Sequence, residues 1–251
     1  MINYLFKDFN NHSVFIYQMA KCGSTSIFET LKEIDKNNSS KIYHLHFIWQ
    51  IKNIKENFLK SKFISLTRDL VARNISNFFQ DIDSEFIHPD THPFRPNLKH
   101  EWYVGNRDYL KKCKIEELLH HFYVKISEQK HLEACTWFED HYFPITQIDV
   151  YSKKFNHDNG FIFFSNNHLV IKMENLNNCF SKSLSKLFSF KIKNQTISNR
   201  SKNKWYGEIY EKFCSFPVEK NYLKKIYDCR LMRHFYTNEE ISYFTKKWLK
   251  C

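Results

Sequence analysis

Residues 14–17 read VFIY, an apolar run of β-branched and aromatic side chains, and the next nine, QMAKCGSTS, hold the small and hydroxyl-bearing residues of a tight turn. Past that turn Ile27, Phe28, Leu31 and Ile34 recur at helical spacing, so the segment predicts a strand over residues 13–19, a tight loop and an amphipathic helix. A strand that feeds a helix through so short a turn belongs to a βα unit. Such units imply parallel strands covered by helices.

The rest of the chain repeats the pattern. KIYHLHF at 41–47 alternates as a strand does, and FISL at 63–66 is a short apolar run before Thr67-Arg68-Asp69. Asp69 is a good helix N-cap, and Leu70, Val71, Ile75, Phe78 and Phe79 behind it make an amphipathic helix. Helical patterns cover 107–130 and 135–142; strand-like runs cover 147–151, 161–164 and 169–173; a helix carrying Leu176, Phe180, Leu184, Leu187 and Phe188 follows Asn175. KIKNQTISNRSKNK at 191–204 has no period and reads as a basic loop, with helices expected around 205–214, 218–230 and 238–250. Residues 83–106 hold three of the five prolines and read as a long insertion loop, a length that usually serves function. The expected fold class is α/β: a mainly parallel central sheet flanked by helices, in a single domain over 1–251. Ligands of such sheets sit beyond the carboxyl ends of strands.

Composition narrows the partners. With 251 residues, 25 Phe and 14 Tyr, the chain can build the core of one α/β domain. Lys plus Arg number 38 against 27 Asp plus Glu, a formal charge of +11. That balance favours an anionic partner: phosphate, nucleic acid, acidic polysaccharide or anionic lipid headgroups. The seven cysteines include no C-x-x-C pair, which argues against a zinc ribbon or a disulfide framework. The first twenty residues carry Lys7 and Asp8 inside their apolar part, unlike a signal peptide, and no uncharged apolar run reaches the roughly 20 residues that span a bilayer. A reducing, cytoplasmic setting is expected, with peripheral attachment to the inner membrane through the basic surface left open.

Three segments carry candidate chemistry. A turn followed by a helix N-terminus presents free backbone N–H groups and a positive dipole end, so Lys21, Cys22, Gly23, Ser24, Thr25 and Ser26 suit phosphate oxygens. An ordinary capped helix start is the competing reading. The nucleoside-triphosphatase order G-x-x-x-x-G-K-[ST] is absent. Arg68 stands at a strand end with Ser76 eight residues later, about two helical turns, so a guanidinium fork and a hydroxyl can grip a second phosphate. Between these segments, His44 and His46 fall on one side of a strand. A neutral imidazole there can accept a hydroxyl proton, or the pair can form two legs of a metal site. His46, nearer the strand end, is the chosen base.

Together the segments resemble the paired signatures of sulfotransferases that use 3'-phosphoadenosine 5'-phosphosulfate (PAPS): a K-[TSC]-G-[ST]-[ST]-S loop for the 5'-phosphosulfate, and R-D-x-x-x-R-x-x-S for the 3'-phosphate. Ala20 departs from the proline usual before the lysine. YHLHF resembles the H-x-H of Golgi polysaccharide 2-O-sulfotransferases, which implies a general base there. Trp137-Phe138-Glu139, Ile148 to Tyr151, Val170 to Leu176 and above all Asn203-Lys204-Trp205-Tyr206 resemble a bacterial family of capsular polysaccharide synthesis proteins named for an N-K-W-Y-S motif, with Gly207 replacing its serine. The resemblance implies a P-loop-NTPase-like sulfotransferase fold and a PAPS-dependent carbohydrate O-sulfotransferase. Its donor is PAPS, its acceptor a saccharide or polysaccharide hydroxyl, and neither metal nor nucleic acid takes part.

On that reading Lys21 and His46 are catalytic, residues 21–26 with Arg68 and Ser76 hold the donor, and Lys202 and Lys204 close over its 3'-phosphate. Trp205 and Tyr206 offer a stacking face or dock a helix start. Glu174 is a catalytic carboxylate, a positioner of Lys21, or a helix-terminal charge outside the core site. Arg95, Lys99, His100 and Arg107 suit an anionic glycan groove or plain solvated surface. The rivals are a phosphate-loop kinase or triphosphatase, a non-catalytic basic module that binds nucleic acid or glycan, and a sulfotransferase fold with altered activity.

Overall fold

The computed structural model describes residues 13–35, 41–85, 107, 109–125, 128–192 and 204–250. Five strands form one sheet: β1 (Val14–Tyr17), β2 (Ile42–Leu45), β3 (Lys62–Thr67), β4 (Phe161–Ser165) and β5 (His168–Lys172), in the order β2-β1-β3-β5-β4. β1 pairs in parallel with β2 and β3, and β3 in parallel with β5; β4 alone runs antiparallel, folded onto β5 as a hairpin with a register shift between Phe163 and Ser165. Eleven helices are numbered in chain order among the described residues: α1 (Ser24–Ile34), α2 (Ile48–Lys52), α3 (Leu70–Glu85), α4 (Ile115–His120), α5 (Glu128–Leu132), α6 (Phe143–Thr146), α7 (Leu176–Phe188), α8 (Gly207–Cys214), α9 (Lys220–Tyr227), α10 (Arg230–Phe235) and α11 (Asn238–Leu249).

The register follows from side chains that must be buried. Every residue of β1 and β5 is buried, and all but Lys62 in β3, which is what a sheet covered on both faces requires. On one face four rings stack across four strands. Phe15 lies 4.8 Å from Tyr43 and 4.9 Å from Phe63, each at 13°, and Phe63 lies 4.9 Å from His168 at 7°. Phe15 is paired with Tyr43 and Phe63, and Phe63 with His168, so a slip of one residue would break the ladder and turn the apolar set away from its core.

This strand order positions a site. From β1 the chain passes through α1 to β2 on one side, whereas β3 lies on the other side and its neighbour β5 lies beyond it. The carboxyl ends of β1 and β3 therefore flank the crevice where the direction of winding reverses, the place where open α/β sheets bind ligands.

Several expectations change. Residues 147–151 form no strand: Asp149 Oδ1 accepts from Tyr151 N at 2.9 Å, a side-chain turn that ends any extension, and the sheet edge is already taken by β4. The helix expected over 135–142 is instead a 3₁₀ turn at Glu133–Cys135 and a π-helical turn at Phe138–Tyr142 that runs into α6. The helix expected over 218–230 breaks at Cys229, whose extended backbone separates α9 from α10. Of the expected insertion over 83–106, residues 83–85 complete α3 and the remainder lies outside the described residues. Among the described residues no helix is long and apolar enough to cross a membrane.

Candidate functional site

The loop after β1 is fixed by its carbonyl groups. Gln18 N donates to Leu45 O at 3.2 Å, which carries the β1–β2 pairing one residue further. Arg73 Nε donates to Ala20 O at 3.1 Å, and Arg68 Nη1 donates to Lys21 O at 2.8 Å. Lys21 and Gly23 both have left-handed backbones, φ 72° and 84°. Gly23 adopts that region freely. For Lys21 it costs about 1 kcal/mol, a strain sustained by the arginine on its carbonyl. A Cβ at position 23 would also come within 3.2 Å of Met173 Cγ.

Behind the turn α1 begins without a side-chain cap on its N-terminus and with no acidic residue in its first turn. The N–H groups of its first turn, which lack intrahelical partners, and its positive dipole end are therefore not answered by a carboxylate of its own. Cys22 is wholly buried, and burial pushes its thiol up to about 12, so the thiol stays protonated near pH 7. The Ser24 hydroxyl is committed inward: it accepts from Gln18 Nε2 at 2.6 Å and lies 2.6 Å from His44 Nε2. Ser26 is buried and Thr25 half-buried.

The two histidines differ in what they hold. His44 stacks on Phe28 at 5.3 Å and touches Ser24, and burial first, then neighbouring His46, lowers its pKa to about 4. It is neutral near pH 7 and braces the loop. His46 lies just past β2 with Nδ1 3.0 Å from Gln18 O. A carbonyl can only accept, so Nδ1 carries the proton and the neutral ring keeps a lone pair on Nε2. Burial lowers the His46 pKa, the Gln18 hydrogen bond opposes that, and the charges of Lys21 and Arg73 lower it further. The rings sit 4.8 Å apart edge to face, and no group of three His, Cys, Asp or Glu side chains gathers as metal ligands among the described residues.

At the end of β3 two neighbours face different work. Arg68 turns to the loop, with Tyr210 of α8 against it. Asp69 is buried, and its Oδ1 accepts from Val71 N at 3.1 Å and Tyr227 Oη at 2.9 Å, while Oδ2 accepts from Trp248 Nε1 at 2.8 Å. Asp69 N donates to Glu174 Oε1 at 2.8 Å, and Tyr236 Oη donates to Glu174 Oε2 at 2.9 Å. Burial raises the Glu174 carboxyl above the usual range. Its contacts make it a clasp between the end of β5, the start of α3 and the last helices. Ser76 is buried on α3, and no hydrogen bond joins it to Arg68 among the described residues.

Of the basic loop over 191–204, residues 191, 192 and 204 are among those described. Lys204 Nζ lies 5.7 Å over the Tyr206 ring, and Arg107 lies 5.1 Å over Trp205. Tyr206 is buried against Phe79, a docked helix start, whereas Trp205 is half-buried under its arginine. Lys202, Arg95, Lys99 and His100 lie outside the described residues. Sequence reasoning passed over two residues that bind the site together. Arg73 was visible as the second arginine of R-D-x-x-x-R-x-x-S. Gln18, whose carbonyl sets the His46 tautomer and whose amide holds Ser24, gives no signal beyond its place after a strand.

Among solved structures the chain is similar to mouse sulfotransferase SULT7A1 complexed with PAP, at 14% identity and a TM-score of 0.35, over 99% of this chain and 85% of that one. No curated protein matches it. The family model described as "Putative capsular polysaccharide synthesis protein", NKWYS, matches residues 109–237, just over half of the chain, and to that family the chain belongs.

Proposed function

We infer that the protein is a sulfotransferase that moves a sulfuryl group from PAPS to a hydroxyl of a saccharide, in the synthesis of capsular or other surface polysaccharide. One observation supports this reading: hydrogen bonds tie together the ends of β1, β2 and β3, by His46 on the Gln18 carbonyl and by Arg68 on the Lys21 carbonyl. A turn suited to phosphate, an arginine suited to a second phosphate and a neutral imidazole are thereby linked at the carboxyl ends of neighbouring strands. Family membership supports the acceptor class.

The backbone N–H groups of residues 22–26 hold the 5'-phosphosulfate, helped by the Thr25 and Ser26 hydroxyls, while the Ser24 hydroxyl keeps His44 in place. Arg68 and Ser76 take the 3'-phosphate, and Lys202 and Lys204 cover it. His46 Nε2 accepts the proton of the attacking hydroxyl as the new oxygen–sulfur bond forms. The bond from sulfur to the bridging phosphate oxygen breaks, and Lys21 with the helix N-terminus meets the charge that develops on the leaving phosphate.

Calorimetric titration with 3',5'-adenosine bisphosphate tests the donor. The wild type binds, and Arg68→Ala weakens binding at least about tenfold, the range for lost charge-assisted hydrogen bonds. Absence of binding to the wild type, or equal binding by the variant, overturns the assignment. Magnesium-dependent ATP hydrolysis would favour a phosphate-loop kinase instead.

A further inference from the structure

One pair of large apolar side chains beside the site stays outside the core. Phe47 is 45% exposed and Trp49 63% exposed, and their rings lie 6.1 Å apart and only 9° from parallel. Single exposed aromatics are ordinary on protein surfaces. These two stand parallel as an exposed aromatic pair, and this shelf begins one residue after His46.

Hydrogen bonds hold the shelf to the base. Gln50 Oε1 accepts from His46 N at 2.7 Å and from Phe47 N at 2.9 Å, so one side chain closes the turn from β2 into α2. Trp137 Nε1 donates to His46 O at 3.2 Å. The backbone that carries the imidazole is thereby fixed relative to both rings. Trp49 also bonds through its carbonyl to Asn53 Nδ2 at 3.4 Å.

We propose that Phe47 and Trp49 are the platform on which one sugar ring of a saccharide chain stacks, beside the hydroxyl that His46 deprotonates. The C–H face of a pyranose is weakly positive and apolar, and it meets the negative face of an aromatic ring as other ring partners do. Lys52 is exposed three residues beyond Trp49, hence on the same side of α2, and favours a chain that carries acidic groups. A lipid surface suits the patch less well, since α2 has five residues and interfacial helices bind in proportion to the apolar area they bury. The reaction that uses the platform rests on the sulfotransferase reading; the binding of a saccharide does not.

The test is calorimetry on the full chain with two probes, a hexuronate–N-acetylhexosamine tetrasaccharide and the neutral N-acetylglucosamine tetramer. Each variant is titrated separately with 3',5'-adenosine bisphosphate. The wild type binds the acidic probe; Trp49→Ala and Phe47→Ala bind it about tenfold more weakly; Trp49→Phe keeps most of the affinity; and bisphosphate affinity is unchanged throughout. A wild type that binds neither tetrasaccharide, or alanine variants that bind like wild type, overturns the platform. So does co-sedimentation with phosphatidylglycerol vesicles that is lost in Trp49→Ala while saccharide binding is absent. If saccharide binding falls as expected but the wild type ignores the bisphosphate, the platform stands and the donor assignment fails.

Discussion

Among the described residues, the first helix and the last begin in opposite ways. α11 has a capping box: Glu240 N donates to Thr237 Oγ1 at 3.2 Å, Thr237 N donates to Glu240 Oε2 at 3.0 Å, and Glu239 and Glu240 add acidic charge to the first turn. α1 has neither side-chain cap nor acid, and a left-handed glycine leads into it. α7, α9 and α10 also lack a side-chain cap and an acid in the first turn; what sets α1 apart from α11 is the loop before it, where two arginines grip the carbonyls and leave the helix start open. The division continues inside one dipeptide, where Arg68 serves the open end and Asp69 ties down the helices of the closed one.

Breaking the chemistry without the fold should give the largest effect. His46→Ala is expected to lose roughly 10²- to 10⁴-fold in turnover with bisphosphate affinity within about twofold of wild type, because general-base catalysis is worth that much. Unchanged turnover in a sulfate-transfer assay would remove His46 from the reaction. Asp69→Ala strikes the other side: with the partners of Trp248, Tyr227 and Val71 gone, stability should fall by about 3–5 kcal/mol, or roughly 10 °C in Tm. A loss under about 1 kcal/mol in urea titration would mean that Asp69 is no anchor.

Two smaller changes set the helix starts against each other. Gly23→Ala forces a side chain into a left-handed backbone and against Met173, and is expected to cost about 2 kcal/mol and to weaken bisphosphate binding as well. Thr237→Ala removes the cap of α11 for about 1 kcal/mol and should leave bisphosphate binding alone. If both variants altered binding alike, the contrast between open and closed ends would be wrong. The smallest effect concerns pH. His46 has a lowered pKa, so its base form persists below the ordinary 6.5. Initial rates should therefore change little from pH 7.5 to pH 6.5 and fall only as the pH passes through that lowered value; a midpoint above 6.5 would contradict the buried neutral ring.

The parts of this arrangement that depend on neighbours in sequence were legible. β1, β3, the turn at 18–23 and the start of α3 at Asp69 follow from apolar runs, small residues and a capping side chain, all within a few positions of one another. Lys21, Arg68 and His46 could be named because turn-and-helix chemistry and a short motif point to them. What joins them could not. Arg73 reaches Ala20 across 53 residues and Tyr227 reaches Asp69 across 158, and periodicity carries no record of which buried polar group meets which. The misread strand at 147–151 shows the converse, since its alternation is real but Asp149 turns the backbone back on itself.

The bond from Trp248 to Asp69 also sets a schedule. It spans 179 residues, and the ends of β1 and β3 are made long before α11 exists. Until the last helix docks, the Asp69 carboxylate in the turn after β3 lacks its Trp248 partner. Donor-binding competence should therefore appear late in refolding, after the sheet has formed. A chain stopped before residue 248 would keep Lys21, His46 and Arg68 and still lack one partner of the buried Asp69 carboxylate.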